Sequence, residues 1–570
     1  MNKLLLTSLA ALASIGCSAQ NPIRLNQVGY QPEQEKVITI DKINPQGKIV
    51  VKNGVGSIVA KPKVMRIATS PWTGEKRYLI DLSNIKKPGD YTIEMGKHKA
   101  TLHVAKDAYH DIAKGSLKLF YLIRSGIDID KKYAGIYARK DGHPDTKVYI
   151  HASAATANRP EGTELSSPYG WYDAGDYNKY AVNSSYAIGV MQDVYEQIPE
   201  YFAQLNTNIP ESDNTTPDFL DEMMFNLKWL LTCQDPDDGG IYHKLTTPHF
   251  EAFIMPDECK QKRYLVEKSV TASLDFAAVM AQASRLFEGN KDYPEFSQQA
   301  REAAIKAYDW AMKNPNAFYR QNEMNKKFKP EVTTGEYGDW SARDEKFWAA
   351  SELYRLTKDA RYLEDAKSTF PTRFTNSSWN SVAELGLFTW IASTNKEMGE
   401  RAKDMLKTYA DNLTAHVATS NFNAPYGDKA EDFGWGCLGG NCCWPAIALM
   451  YADKYIAPGK YRKFALENFN YVLGQNTTGY CYVTGYGTKS PMHPHHRISA
   501  NDNIEQPFPG MLVGGPNPGQ QDLAEGIIYP SKNPDASYAD QTESYASNEI
   551  AINWNASLVG IACWLDATSK

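Results

Sequence analysis

The sequence predicts a small antiparallel β-sandwich of immunoglobulin type followed by a much larger, mainly α-helical domain shaped as a barrel or toroid. Three observations predict it. Short alternating apolar runs bounded by turn residues fill residues 21–105. From residue 106 the apolar period becomes that of a helix and stays so for about 465 residues. The connections between helical stretches are long and rich in Gly, Pro, Asn, Asp and aromatic residues, which suits a domain with one functional face of loops better than a bundle.

Residues 1–20 read as an export signal, with Lys3 as the positive start, Leu4 to Ile15 as the apolar stretch and small residues after it. Ser14-Ile15-Gly16-Cys17 resembles a bacterial lipobox, departing from it at Ser14, where Leu is usual. That reading makes Cys17 the lipidated first residue of an exported cell-envelope lipoprotein, at the periplasm or the outer-membrane surface. The alternative is cleavage after Ala19 and secretion. No later stretch approaches the ~18 consecutive apolar residues of a spanning helix, so any membrane contact is expected only through the anchor.

In the first domain, residues 36–40, 48–53, 64–70, 77–83, 90–95 and 99–105 read as strands, separated by turn signals such as Asn53-Gly54 and Pro88-Gly89. In the second, apolar residues at 219, 220, 223, 224, 227, 230 and 231 share one face of a helix over 218–234. Similar stretches recur near 107–126, 181–198, 265–287, 293–314, 344–357, 398–418, 440–455, 460–474 and 548–567, with weaker ones near 360–368 and 380–395. About twelve helices result. The longest connections are 139–180, 235–264 and 475–547.

Composition narrows the partner. Hydrophobic residues make up 42% of the chain and the 39 Gly and 30 Pro show no period, which excludes a collagen-like or disordered protein. Lys plus Arg is 61 against 67 Asp plus Glu, without a basic stripe, so a nucleic-acid partner is not expected and a neutral or weakly charged one is favoured. Beyond Cys17, the seven cysteines at 233, 259, 437, 442, 443, 481 and 563 form no CxxC pairs. They read as buried small apolar side chains rather than a disulfide framework or zinc ribbon.

Three segments carry chemistry. Trp171-Tyr172-Asp173-Ala174-Gly175-Asp176-Tyr177-Asn178 sets two carboxylates three residues apart across a glycine. Both can face one side of a turn, where each raises the other's pKa or both hold one water, as a general base requires. An Asx-rich turn into the helix at 181 explains the same residues locally. His493-Pro494-His495-His496-Arg497 lies in a Gly/Pro loop without zinc spacing, and offers directional donors to hydroxyls or to a carboxylate. Tyr538 to Ala556 opens the last helix and places Glu549 in its first turn, where the helix dipole would lower its pKa. As a general acid Glu549 would need desolvation, by neighbours such as Tyr545, to outweigh that dipole; as a capping residue it would not.

Together these segments resemble glycoside hydrolase family 9, the inverting endoglucanase family, over most of the chain. Tyr172 to Asp176 matches that family's base motif. Tyr482 to Arg497 follows its histidine signature, with Gly487, Lys489, Pro494, His495 and Arg497 in place and Cys481 as a departure. Tyr538 to Ala556 follows its acidic signature, including Asp540, Tyr545, Glu549, Ala551, Asn555 and Ala556. The resemblance implies an (α/α)6 barrel over 106–570 behind an immunoglobulin-like domain over 21–105. It implies Asp176 as the base that activates water, Asp173 as its partner on that water and Glu549 as the acid. His495 and Arg497 would bind sugar beside the cleavage point, and Asp540 would support the acid's segment. Inversion would need the two carboxyls about 6.5–9.5 Å apart.

No cofactor is expected for the chemistry. Some members hold structural zinc where this chain reads Arg124-Ser125-Gly126, Gly142-His143 and Tyr172, so zinc is not expected; calcium is common in the family, and Asp339, Asp344 and Glu345 form a candidate oxygen cluster, which a charged helix start explains equally well. Aromatic residues in the long loops, such as Tyr169, Trp171, Trp435 and Tyr486, with Tyr545, are candidates for stacking on sugar. The expected activity is endo-β-1,4-glucanase action, by a monomer, on cellulose-like or mixed-linkage glucan. Xyloglucan cleavage and exo action on cellodextrins are alternatives, and a non-catalytic glycan-binding lipoprotein is the alternative from another class. Retention of Asp173, Asp176 and Glu549 argues against a mere binder.

Overall fold

The computed structural model describes residues 21–569, so the expected signal and Cys17 lie outside the described residues. The N-terminal domain is a sandwich of two antiparallel sheets. Its strands are β1 (Ile23–Arg24), β2 (Val37–Asp41), β3 (Ile49–Lys52), β4 (Ile58–Ala60), β5 (Val64–Thr69), β6 (Lys76–Asp81), β7 (Gly89–Met95) and β8 (His98–Val104). One sheet runs β1-β2-β6-β5 and the other β4-β3-β7-β8. The six predicted strands form within about two residues of their expected bounds, and the short β1 and β4 join as edges. Alternation explains the core: Tyr91, Ile93 and Met95 of β7 and Leu102 and Val104 of β8 point inward against Ile38, Ile40, Val51 and Ile80.

Strand β2 breaks that alternation, since all five of its residues are buried. Its outer face is covered by the helical domain. Arg77 of β6 lies in that interface, pairing with Asp41 at 3.2 Å and with Asp535 at 3.0 Å, over the Phe422 ring. Arg66 donates to the Ser420 carbonyl at 2.6 Å, and Asn26 donates to Asn470 at 2.8 Å. Buried charges of this kind are tolerated only when paired, so the sandwich is docked on the barrel through specific contacts rather than tethered beside it.

The helical domain is an (α/α)6 barrel. Six inner helices, Ala181–Gln197, Val270–Leu286, Arg343–Thr357, Ala383–Ile391, Trp444–Tyr455 and Ile552–Ala567, form a ring. The stacked rings of Phe388 and Tyr451, 3.8 Å between centroids, close it between the fourth and fifth. Helices Ala181–Gln197 and Ile552–Ala567 are buried around nearly their whole circumference. Outer helices such as Lys396–Thr414 bury only a stripe, here Met398, Ala402, Leu406 and Ala410. Close packing in the ring uses small residues: a Cβ at Gly189 would sit 2.5 Å from the Trp348 ring.

The long connections are not structureless. Segments Glu164–Leu165, Val148–Ile150, Tyr264–Leu265, Lys244–Thr246 and Lys179–Tyr180 hydrogen-bond in that order into a third, small sheet. It ties loops 139–180 and 235–264 together and ends beside Asp176. All seven described cysteines are free thiols, six of them buried. Among the described residues no helix is long and apolar enough to cross a membrane.

Candidate active site

The three motifs converge on a cavity of about 740 Å³ lined by Asp173, Asp176 and Glu549 together with Phe250, Tyr337, Trp379, Trp435 and Trp554. Backbone hydrogen bonds lace the motifs together. The Gly175 N–H donates to Glu549 Oε1 at 3.3 Å, and the Gly175 carbonyl accepts from Arg497 Nη1 at 2.7 Å and from the Arg497 N–H at 3.2 Å. The His495 N–H donates to the Asn548 carbonyl, and the Ile552 N–H to the Asp173 carbonyl, at 2.9 and 2.8 Å. A Cβ on Gly175 would lie 2.3 Å from the His495 carbonyl oxygen and 3.2 Å from Glu549 Oε1. Only glycine lets the base motif approach this closely.

Asp176 is buried, and its hydrogen bonds all fall on Oδ2: Asn178 Nδ2 at 2.7 Å, the Tyr180 hydroxyl at 3.0 Å and the Asn178 N–H at 3.3 Å. Oδ1 keeps its lone pairs for another proton. Asp173 accepts from Asn183 Nδ2 and from the Tyr337 hydroxyl, both at 2.7 Å. Burial, followed by the charge of Asp176, pushes the Asp173 carboxyl well above the usual range. Glu549 is pushed up to about 8, first by burial and then by Asp176, against the Gly175 N–H and Arg497, which favour its charged form. Burial and the charge of Asp176 thus push two carboxyls of the cavity, those of Asp173 and Glu549, toward their protonated forms.

Glu549 differs from the sequence expectation in its backbone. It is not in the first turn of the last helix: it is extended, bridged to His495, and the helix begins at Ile552. The helix dipole therefore does not act as supposed, and burial sets the acid's pKa. Asp540 accepts from the N–H groups of Met492 and His493 and from Asn548 Nδ2, joining the histidine loop to the residue before Glu549. His495 gives its Nδ1–H to the Thr542 carbonyl at 2.7 Å, and burial lowers its pKa to about 4, so the ring is neutral. Arg497 spends Nε on the Glu251 carbonyl at 2.9 Å and Nη1 on Gly175. Through these bonds His495 and Arg497 brace the segments that carry Gly175 and Glu549.

Trp171 is a correction. It is fully buried against Phe120, with its indole N–H on Glu222 at 2.8 Å, and has no face to offer a sugar. Tyr486 likewise lies elsewhere, its hydroxyl on the Asp111 carbonyl. Tyr545 packs against Trp435, which is 47% exposed at the cavity wall. Sequence reasoning missed Tyr180, Asn183 and Tyr337 on the carboxylates, and Lys244. The Lys244 ammonium is buried, holds Gly335 and Thr334 at 2.7 and 3.1 Å, and thereby sets the cavity loop 333–337. Nothing local marks Lys244 or Tyr337, because their role arises only from the folded loops.

Comparison with known proteins agrees with this geometry. The model of glycosyl hydrolase family 9 matches residues 109–562, and that of the cellulase N-terminal Ig-like domain matches 18–100. The chain belongs to glycosyl hydrolase family 9. It is therefore a glycoside hydrolase, of a chemistry that needs no cofactor. It is 50% identical to a xyloglucan-specific endo-β-1,4-glucanase of Bacteroides ovatus, with 98% of this chain and 96% of that protein covered. It is 33% identical to endoglucanase D of Acetivibrio thermocellus, covering 94% and 82%. The solved family 9 structure from Bacteroides ovatus superposes with a TM-score of 0.92 at 48% identity, covering 96% of this chain and all of that one. A single mutant of the thermostable endoglucanase from Alicyclobacillus acidocaldarius gives 0.84 at 28%, covering 96% and 99%. The endo-β-1,4-glucanase activity expected from the motifs agrees with these relatives.

Two groups of residues bear on metal binding. At the family's zinc positions, Ser125, Gly142 and Tyr172 provide no matching ligand set, and Arg124 is paired with Glu211 and Glu222. Asp275 lies near enough to Asp339, Asp344 and Glu345 that, after burial, their mutual charges raise the carboxyls of Asp275 and Glu345. Both carboxylate oxygens of Asp275 and of Glu345, and Oδ2 of Asp339, are buried without a hydrogen-bond partner, a donor set that fits a hard cation.

Gly175→Ala tests the crossing of the motifs. The alanine should fold, as judged by circular dichroism, but lower kcat about 100-fold by displacing Asp176 from Glu549 on the order of an ångström. Unchanged kcat would mean that the close approach at Gly175 does not align the carboxyls.

Proposed function

We propose that this enzyme cleaves internal β-1,4-glucosidic bonds of xyloglucan with inversion. The observation that carries the mechanism is the contrast between the two carboxyls sharing one cavity. Glu549, raised to about 8, keeps a proton for the leaving glycosidic oxygen. Asp176, with donors on Oδ2 alone, takes a proton from the water that attacks the anomeric carbon on the opposite face. Asp173 holds the same water. Each turnover leaves Glu549 ionised and Asp176 protonated, and proton exchange with solvent restores both. The relative from Bacteroides ovatus, half identical across both domains, supports xyloglucan as substrate. The rings of Phe250, Trp379, Trp435 and Trp554 along the cavity suit the apolar faces of a glucan backbone.

Product profiling on xyloglucan, mixed-linkage β-glucan, carboxymethyl cellulose and cellobiose tests the proposal. Xyloglucan should release oligosaccharides fastest, with the α-anomer first by NMR, and Asp176→Asn and Glu549→Gln should each lower kcat by about 10²–10⁴-fold. Faster turnover of an unbranched glucan would move the specificity there, and a β-anomer first would overturn inversion. The acid is active below its pKa, so kcat should fall as pH rises through about 8.

Calcium is proposed as a structural ion held by Asp275, Asp339, Asp344 and Glu345, supplying the positive charge these acids lack. EGTA should then lower the midpoint of thermal unfolding, with recovery on adding Ca²⁺ but not Zn²⁺; an unchanged midpoint would remove calcium from the account. Export and anchoring through Cys17 are proposed from the N-terminal segment. Cys17→Ser should move the protein from the membrane to the soluble fraction, and an unmoved variant would favour plain cleavage after Ala19.

A further inference from the structure

We propose that His143, Glu251 and Cys259 form a divalent-cation site of the zinc class, which pins loop 247–263 to loop 139–147 beside the cleft. The ligand-capable atoms of the three residues all lie within 4.8 Å of one another. Glu251 and Cys259 share one loop, and His143 lies about a hundred residues before them, so no contiguous motif marks the group. His143 is presented in the required form by its neighbours. The Tyr172 hydroxyl has one proton and gives it to the Gly142 carbonyl at 2.9 Å, so at 3.0 Å from His143 Nδ1 it accepts that nitrogen's proton. Nε2 is then the lone-pair nitrogen, and it is buried with no hydrogen-bond partner. Glu251 Oε1 is likewise buried and unpartnered. Cys259 Sγ makes only a 3.7 Å contact with the Met255 carbonyl and is half-buried, open to exchange.

An imidazole, a carboxylate and a thiol suit zinc rather than calcium or magnesium, because sulfur is too soft a donor for the latter two. Three protein ligands leave a fourth, tetrahedral position for water. Binding would convert the Cys259 thiol to thiolate and release its proton to solvent. The two loops already press together: a Cβ on Gly142 would lie 2.2 Å from Pro256 Cβ and 2.4 Å from the Pro256 carbonyl carbon. Of the zinc positions known in family members, only that of His143 takes part here, and Tyr172 has become the group that orients its ring. Glu251 and Cys259 come from a different loop. That loop carries Phe250 into the cavity wall, and the Glu251 carbonyl holds Arg497, which in turn holds Gly175. The cation would thus steady the cleft wall without touching the reacting atoms.

The full chain, stripped with a chelator and returned to calcium-containing buffer, is titrated with Zn²⁺ by calorimetry and with Co²⁺ by absorption. One Zn²⁺ per chain is expected, with a thiolate-to-cobalt charge-transfer band for Co²⁺. Cys259→Ser should abolish the band, and Glu251→Gln should weaken Zn²⁺ binding by at least the ~10–100-fold that loss of an outer contact costs. Near-UV circular dichroism verifies that each variant folds. Absence of stoichiometric binding by the wild type, absence of the band, or undiminished Zn²⁺ affinity in both variants would overturn the site.

Discussion

The rest of the site depends on the close crossing of backbone at Gly175. At that one residue the base motif meets the histidine loop through Arg497 and the acid through the Gly175 N–H to Glu549. A base and an acid that cooperate across a sugar ring must be held at a set separation, and Gly175 does so with its own N–H on the Glu549 carboxylate and its carbonyl on the Arg497 guanidinium and N–H. The absence of a Cβ at Gly175 is what allows three segments spread over about 385 residues of sequence to meet there. Arg497 and Asp540 act in the same network, one on each side of the acid's segment.

The architecture serves that crossing. The inner ring of helices supplies a rigid floor, and the loops above it are stiffened by the small sheet that runs through Val148–Ile150, Lys179–Tyr180 and Lys244–Thr246. Lys244, buried beneath the cleft, ties loop 333–337 to this sheet, and Tyr337 and Tyr180 from the two sides bond Asp173 and Asp176. The sandwich adds a second brace. Its Arg77 pairs with Asp535, in the segment that precedes the acid, and Gln27 donates from its side chain to the Gly479 carbonyl ahead of the histidine loop. The N-terminal domain thus steadies the two C-terminal motifs from behind, which accounts for the burial of strand β2 on both faces.

The pKa pattern follows from burial more than from any helix end. Glu549 was legible as an acid by its motif, but the reason for its raised pKa was not. The expected dipole is absent because Glu549 precedes the helix, and desolvation with the charge of Asp176 decides the outcome. The same limit explains Trp171, whose place in an aromatic loop suggested sugar stacking while the packed helix Asp218–Thr232 in fact buries it. It explains His143, Glu251 and Cys259 as well, since ligands gathered from two loops share no spacing.

The sequence by itself determined the two-domain order, the change from strand to helix period near residue 106, most strand positions and the three segments that carry the chemistry. These features rest on local periodicity and on motifs that must be contiguous to work. Only the tertiary structure decided which rings face the cleft, which polar groups bond Asp173 and Asp176, and which loops meet around Gly175 and Cys259. Burial and contact between distant segments set those outcomes. Neither is a property of any stretch of chain taken alone.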